Sequence, residues 1–305
     1  MIRLGLCCIF REEPIAFRRT TATALAGLAK RERLARLAEL CRHNAQTLAE
    51  ALAYCARNGI GDFRINSQLL PLYTHPSFGY RLADLPGGKE VERLLAGCGA
   101  FVRRHRLRTT FHPDQFVLLN SPSEEITRRS VEELAYQADL ADLVGADVVN
   151  IHGGGAYGEP ASALERLRRR IERLPEAIRS RLALENDDRV FSPADLLPVC
   201  RDTGVPLVYD VHHHRVFPDN LSVEEATRAA LATWRREPLF HVSSPINGWK
   251  GKDANRHHDF LSLADVPGCW LSLRRNLTVE VEAKAKEVAV LRLRRALECR
   301  GAKIR

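Results

Sequence analysis

Asp147-Val-Val-Asn-Ile-His152 is a short run of apolar and β-branched residues that ends in a polar side chain. Similar runs, each ending in a histidine or a carboxylate, lie at 108–112, 182–185, 207–210, 239–241 and 277–282. A strand of a parallel sheet is buried on both faces and reads as a continuous hydrophobic stretch. A polar side chain at the carboxyl end of such a strand therefore needs a special reason.

The repeated pattern predicts a single α/β domain over residues 1–305, a (β/α)8 TIM barrel. Candidate strands at 2–10 and 62–66 bring the number of strands to eight. Segments with helical spacing separate the strands, at about 30–57, 90–105, 123–143, 161–180, 193–203 and 222–236. Ser123, Ser192 and Ser222 precede three of these segments as candidate N-caps. An open doubly wound sheet agrees less well with the sequence, because no G-x-G-x-x-G motif follows the first strand.

Catalytic groups of such barrels lie at the C-terminal face and come from several strands. Eight polar side chains form a series that fits this rule: His75, His112, His152, Glu185, Asp210, His241, His257 and Glu282. A lone histidine after a strand is usually structural, but this many at equivalent positions favours metal ligation. Imidazole and carboxylate bind zinc, manganese and iron, and neighbouring ions can share a bridging carboxylate. We expect a divalent metal cluster with Glu185 as the bridge.

Two local patterns leave alternatives open. Asp210 and His213 stand three residues apart, so a turn after the strand would bring both toward adjacent ions. His212 and His214 flank His213, and at most one or two of these three imidazoles can face the same site. Gly153-Gly154-Gly155 directly follow His152. They suit either a close approach of the backbone to a phosphate or simply a tight turn.

The composition of the chain indicates which kinds of partner and location to expect. The 305 residues carry a formal net charge of +8, which favours a polyanion such as DNA, although solvated basic surface explains runs such as 166–170 equally well. We expect residues from about 290 to form a basic helix or tail. The apolar runs are shorter than the roughly 20 residues of a membrane span. The eight cysteines form no CxxC pair and the start resembles no signal peptide, so we expect a cytoplasmic monomer.

An ordered set of motifs covers nearly the whole chain. It consists of Phe63-Arg-Ile-Asn-Ser-Gln-Leu-Leu-Pro71, Thr74-His75-Pro76, Phe111-His112-Pro-Asp-Gln115-Phe116, Ile151-His152-Gly-Gly-Gly-Ala-Tyr157-Gly158, Leu184-Glu185-Asn186-Asp187 and Val281-Glu282-Ala-Lys-Ala-Lys286. In this set the chain resembles the UV-damage endonuclease family. The resemblance implies a TIM barrel, related in architecture to endonuclease IV, that uses a manganese-type metal cluster. It also implies an enzyme that nicks double-stranded DNA immediately 5′ of a UV photoproduct.

The resemblance also implies roles for individual residues. One metal would be held by His112, His152 and Glu185, a second by Glu185, Asp210, His241 and Glu282, and a third by His213 and His257. The catalytic residues would be His75, Glu185 and Lys284, with His75 and Lys284 near the phosphate. DNA and the lesion would contact Gln115, Phe116 and Tyr157. Gln115 and Phe116 match a pair that the family inserts into the duplex, and a planar wedge fills the vacated stack.

Two positions depart from the family pattern. Leu239 stands where relatives carry a lysine that becomes carboxylated and serves the third metal, and Leu6 replaces an aromatic residue near the lesion. The resemblance therefore supports two metal sites and leaves the third site and the lesion range open.

Two other functions fit the same barrel, because fold alone does not define function. A xylose-isomerase-like sugar isomerase or epimerase also gathers histidine and carboxylate ligands at strand ends. A damage-binding protein without catalysis would keep the DNA-facing rim and lose the nicking activity.

Overall fold

Eight parallel strands close into a barrel in chain order, so the predicted fold class is confirmed. The structure, a computed structural model, describes all 305 residues. The strands are β1 (Ile2–Cys7), β2 (Asp62–Ile65), β3 (Arg108–Phe111), β4 (Val148–His152), β5 (Leu182–Glu185), β6 (Leu207–Asp210), β7 (Leu239–Val242) and β8 (Leu277–Val281). Parallel pairing of β1 with β8, from Ile2 opposite Leu277 to Leu6 opposite Val281, closes the sheet.

Helices surround the barrel. They are α1 (Ala22–Leu25), α2 (Lys30–Asn58), α3 (Gly88–His105), α4 (Glu124–Val144), α5 (Pro160–Glu172), α6 (Glu176–Arg179), α7 (Pro193–Thr203), α8 (Val211–Val216), α9 (Val223–Thr233), α10 (Gly268–Leu271) and α11 (Lys286–Glu298). The hydroxyls of Ser123, Ser192 and Ser222 cap α4, α7 and α9 as predicted. No helix combines the length and the apolar character needed to cross a membrane.

Two predicted elements differ from the structure: one predicted helix is interrupted, and the first predicted strand is shorter. The predicted helix over 161–180 is two helices, because Pro175 lacks an amide hydrogen and ends the helical path before α6. The first strand ends at Cys7 and not at residue 10, since Cys8 adopts a left-handed backbone with φ of 65°. Extended pairing cannot continue through that conformation.

Ion pairs between buried arginines and partly exposed carboxylates close the N-terminal end of the barrel. The Arg3 guanidinium lies 2.8 Å from Glu237 Oε1, and Arg108 donates to both carboxylate oxygens of Asp147 at 2.9 Å. The segment after α11 returns to this end, where Arg305 N donates to the Ile2 carbonyl. The basic C-terminus is thus a helix followed by a short segment that pairs with β1.

Gly5 occupies a crowded layer inside the barrel. A Cβ atom at this position would collide with Asp62 Oδ2 and lie 3.0 Å from Glu280 Cγ. Burial, followed by the charge of Glu280, raises the pKa of Asp62 well above its ordinary range, which favours the uncharged acid. Glycine at position 5 therefore makes room for two acidic side chains below the barrel mouth.

We predict that Gly5→Ala lowers the free energy of unfolding by about 1–3 kcal/mol, because overpacking of a tight core forces neighbours to move. Chemical denaturation monitored by circular dichroism measures the change. Gly27→Ala is the matched control, since a Cβ there has no neighbour within 4 Å and the variant should lose no stability. Equal stability of the two variants would contradict the proposed crowding.

Candidate metal centre

The carboxyl ends of β3 to β8, together with α8 directly after β6, bring seven of the predicted residues together at the barrel mouth. Strand register places His152 beside Glu185 and Asp210 beside His241. Three overlapping groups each hold potential ligand atoms within 4.8 Å of one another. The groups are His112, His152 and Glu185; then Glu185, Asp210 and His213; and finally Asp210, His241 and Glu282.

The first group surrounds Glu185 from β5. His112 Nε2 lies 2.9 Å from Glu185 Oε2, and the ring centroids of His112 and His152 are 5.0 Å apart. Burial lowers the pKa of His152, which favours the neutral imidazole with a free lone pair. A neutral imidazole is the form that binds metal. The arrangement therefore suits a divalent cation.

Glu185 is shared by the first two groups, whereas Asp210 is shared by the second and third. The Glu185 side chain is buried, and burial alone would raise its pKa. The imidazoles of His241 and His152 outweigh this effect and hold the pKa of Glu185 well below its ordinary range. Asn150 Nδ2 donates to Glu185 Oε2 at 2.5 Å and orients the carboxylate. Glu185 is therefore ionised and fixed in a position that two cations can share.

Asp210 and His213 meet because α8 begins directly after β6. Asp210 caps α8, and its Oδ1 accepts from the His213 amide at 2.8 Å. This turn places His213 Nδ1 3.5 Å from both Glu185 Oε1 and Asp210 Oδ2. His214 faces away, with its Nε2 2.9 Å from Asp219, so it lies outside the cluster.

Sequence reasoning missed a second carboxylate that holds His241 in place. His241 Nδ1 lies 3.0 Å from Glu185 Oε1, and its Nε2 lies 3.1 Å from Glu280 Oε2. Thr110 Oγ1 donates to the other oxygen of Glu280 at 2.5 Å. Histidine ligands of metals commonly hold their second ring nitrogen against a carboxylate in this way. The alternation of Glu280 with Glu282 put both on one face of β8, but their different partners depend on the closed barrel.

Arg64, which the sequence left without a role, is the cation between Glu280 and Glu282. Its Nη1 lies 2.5 Å from Glu282 Oε1 and 3.1 Å from Glu280 Oε2. The neighbouring carboxylates raise its pKa despite burial, so the guanidinium stays charged. Arg64 thus offsets part of the negative charge of the mouth.

The residues implied for a third metal are more dispersed. His257 Nδ1 lies 3.7 Å from Glu282 Oε2, while His213 belongs to the Glu185 and Asp210 group. The two rings are 6.4 Å apart. Leu239 is fully buried and offers no ligand atom. A complete third ligand set is therefore absent among the predicted residues.

Two buried polar atoms of the cluster indicate that its carboxylates and imidazoles fit a divalent metal. Asp210 Oδ2 and His152 Nδ1 are buried and have no hydrogen-bond partner. An unsatisfied buried polar atom costs on the order of 1–3 kcal/mol, more when charged. Coordination by carboxylate and imidazole would satisfy both atoms, and these ligand types suit manganese, iron or zinc.

The predicted DNA-contacting residues lie at the rim, outside the cluster. Phe116 has 72% of its surface exposed and shares a groove of about 740 Å³ with His75. His75 Nδ1 accepts from the amides of Ser77 and Phe78, and His75 makes no hydrogen bond or ion pair with the cluster. Gln115 is exposed beside Phe116.

Other predicted positions are spread around the mouth. Tyr157 is 43% exposed, with the Arg166 guanidinium 5.9 Å from its ring. Lys284 is exposed and lines a cavity beside Glu282. Leu6 is fully buried, so it offers no surface to a bound base.

The glycines after His152 pack closely against neighbouring side chains. A Cβ on Gly153 would lie 2.9 Å from Phe191 and Leu196, and one on Gly154 would collide with Asn120. Both glycines thus serve packing.

Fold and site together define a class of protein: a TIM barrel with a buried carboxylate and imidazole cluster, capable of binding metals, at its C-terminal face. The family described as UV-endonuclease UvdE matches residues 2–303 of the chain. The UV DNA damage endonuclease of Bacillus velezensis is 35% identical over 277 residues, 87% of this chain and 84% of that protein. That of Bacillus cereus (strain G9842) is 31% identical over 284 residues, 90% and 86% of the two chains. The chain therefore belongs to the UV DNA damage endonuclease family, and the resemblance is confirmed.

Comparison with solved structures also supports the fold. The crystal structure of SacUVDE is similar with a TM-score of 0.85 and 26% identity, covering 99% of this chain and 100% of that chain. Endonuclease IV from Thermus thermophilus gives a TM-score of 0.60 at 19% identity, covering 98% and 99% of the two chains. D-psicose 3-epimerase from Clostridium cellulolyticum gives 0.57 at 12% identity, covering 98% and 99%. The last two likenesses show the fold alone.

We predict that Glu280→Gln weakens manganese binding about 10- to 100-fold, because loss of an outer carboxylate loosens the ligand histidine. Isothermal titration calorimetry of the metal-free protein measures the affinity. Asp62→Asn is the matched control, because it replaces a neighbouring buried acid that is already uncharged. An unchanged affinity in Glu280→Gln would show that Glu280 does not support His241.

Proposed function

We propose that this protein is a metal-dependent DNA repair endonuclease that nicks the phosphodiester backbone 5′ of UV lesions, as the first step of excision repair. The observation that carries the proposal is the three overlapping ligand groups at the barrel mouth, two of which share Glu185, in a chain of this family. Such groups suit phosphodiester hydrolysis, because neighbouring cations can stabilise both the attacking and the leaving oxygen.

The first cation would be held by His112, His152 and Glu185. The second would be held by Glu185, Asp210, His241 and Glu282, with His213 close to both. When bound, divalent ions, manganese in this proposal, supply activation of a water and charge stabilisation at the phosphate. A third ion at His213 and His257 stays a weaker proposal, since Leu239 contributes no ligand.

The chain's own residues position the reactants. Glu280, whose Oε2 lies 3.1 Å from His241 Nε2, would orient the ring of His241, and Asn150, which donates to Glu185 Oε2, would orient that carboxylate. Lys284 at the edge of the mouth would contact the phosphate as a point charge. His75 has its Nδ1 occupied by backbone amides, which leaves Nε2 as the ring atom for the DNA.

Lesion recognition would use the exposed rim residues Gln115, Phe116 and Tyr157. A phenylalanine that exposes 72% of its surface gains from stacking in a duplex gap, where damage has weakened base stacking. The partner we propose is double-stranded DNA that carries UV photoproducts. The net charge of +8 supports binding to the DNA backbone, and we propose a cytoplasmic monomer.

The two alternative functions, a sugar epimerase and a damage-binding protein, are supported by different observations. The epimerase likeness is one of fold alone, whereas the family match covers residues 2–303 and favours a nuclease over a sugar isomerase. A damage-binding protein without catalysis would bind lesions but leave the backbone intact with any divalent ion.

We predict that purified protein with manganese nicks UV-irradiated plasmid and that Glu185→Gln reduces the rate at least about 1,000-fold, because both cations lose their shared ligand. Conversion of supercoiled to open-circular plasmid measures nicking. Glu165→Gln on exposed α5 is the matched control and should retain full activity. Inactivity of the unmodified protein on dimers, photoproducts and abasic sites would refute the proposed function.

We predict that Phe116→Ala reduces the preference for lesion over undamaged duplex about tenfold, since a stacked aromatic is worth about 1–3 kcal/mol per base. Fluorescence anisotropy with labelled duplexes measures both affinities. The control is Leu271→Ala, an exposed apolar residue on α10 that should leave the preference unchanged. Equal preferences in the two variants would exclude a wedge at Phe116.

A further inference from the structure

A basic cavity lies directly beside the candidate metal centre. It has a volume of about 420 Å³, and Glu282 and His257 form the wall that it shares with the metal ligands. The remaining lining residues are Arg64, Asn255, Arg256, Ala283, Lys284 and Lys286. Five of the eight side chains are basic or imidazole groups and one is acidic, so the cavity suits an anion.

The cations of this cavity differ in how far they are neutralised. Arg64 is paired with Glu280 and Glu282. Arg256 lies 3.8 Å from Asp253, and both side chains are mostly exposed, so that pair is weak. Lys284 and Lys286 line the cavity without forming an ion pair to any carboxylate. The outer part of the cavity therefore carries positive charge without a partner in the chain.

Lys286 has a backbone conformation that lysine rarely adopts. Its φ is +50°, a left-handed conformation that glycine adopts without cost and that other residues adopt at about 1 kcal/mol or more. Its amide donates to the Ala283 carbonyl at 3.2 Å in the turn before α11. A glycine would adopt this conformation at lower cost than lysine does.

The turn that carries the lysines is held in place before any ligand binds. Lys284 N donates to the His258 carbonyl at 3.1 Å, and Ala285 N donates to the Asp259 carbonyl at 3.0 Å. These bonds join the segment after β8 to the segment that supplies Arg256 and His257. The two basic walls of the cavity are therefore fixed relative to each other and to Glu282.

We propose that Arg256 and Lys286 form a second phosphate subsite, which takes a DNA backbone phosphate next to the one that is cleaved. The proposal rests on the proposed function, because the shared wall of Glu282 places this phosphate beside the metal centre. The ligand is a phosphodiester of the strand, held by charge and without reading of the base. Contacts of this kind set the register of the strand on the protein and carry no lesion information.

Metal-free binding measurements separate the subsite from catalysis. We predict that Lys286→Gly weakens binding to both lesion and undamaged duplex about 3- to 10-fold at about 0.1 M salt, measured by anisotropy with EDTA present. The slope of log affinity against log salt should become shallower by about 0.9, the value for one phosphate contact. The unfolding temperature should stay equal or rise, because glycine relieves the positive φ.

Arg106→Gly is the matched control. Arg106 is likewise a cation at positive φ, 54°, but it is exposed and follows α3 at the opposite end of the barrel. That variant removes the same charge and the same backbone strain, and it should leave the salt slope unchanged. Arg256→Gln, a second variant of the subsite at an exposed side chain, should lower the slope as Lys286→Gly does.

The outcomes distinguish the two proposals. Unchanged slopes in both Lys286→Gly and Arg256→Gln, or an equal loss in Arg106→Gly, would overturn the subsite while nicking by the unmodified protein still supports the function. Failure of the unmodified protein to bind any duplex would overturn both. A loss confined to lesion DNA would assign these residues to lesion recognition and overturn a subsite for an ordinary phosphate.

Discussion

The mouth of the barrel depends on one constraint: several ionised carboxylates must be buried close together. Isolated buried charges are costly, so each needs a cation or a donor beside it. His241 lies between Glu185 and Glu280, and Arg64 lies between Glu280 and Glu282. These pairings still leave Asp210 Oδ2 without a hydrogen-bond partner. A bound cation would satisfy this buried oxygen, which is the physical basis for proposing metals there.

The two ends of the barrel differ in how their buried charged groups are neutralised. At the N-terminal end Arg3 pairs with Glu237 and Arg108 pairs with Asp147, which leaves paired charges and a closed end. At the C-terminal end acidic and imidazole groups face one another around an open mouth. This division agrees with the general rule that stability residues and catalytic residues of such barrels lie at opposite faces. DNA would approach only the second end, where the rim carries Phe116 and unpaired lysines.

The candidate site was partly readable from the sequence. Residues such as His152, Glu185 and Asp210 end apolar runs, and parallel strands of a closed barrel end at one face, so their convergence followed from the pattern. His213 was chosen over its neighbours by family resemblance. Glu280 received no role from the sequence, because a period-two pattern shows which face of the sheet a residue lies on and not which residue lies across the barrel.

By itself the sequence determined the barrel, because apolar runs and helical spacing alternate along the whole chain, and it determined which strand ends are polar. Two local breaks escaped that reading, at Cys8 and at Pro175, where backbone conformation overrode the apolar pattern. Only the tertiary structure decided that Arg64, from β2, neutralises glutamates from β8, and that Lys286 shares a cavity with Arg256. Those contacts join residues far apart in the chain, so they depend on strand register and barrel closure, which no local pattern contains.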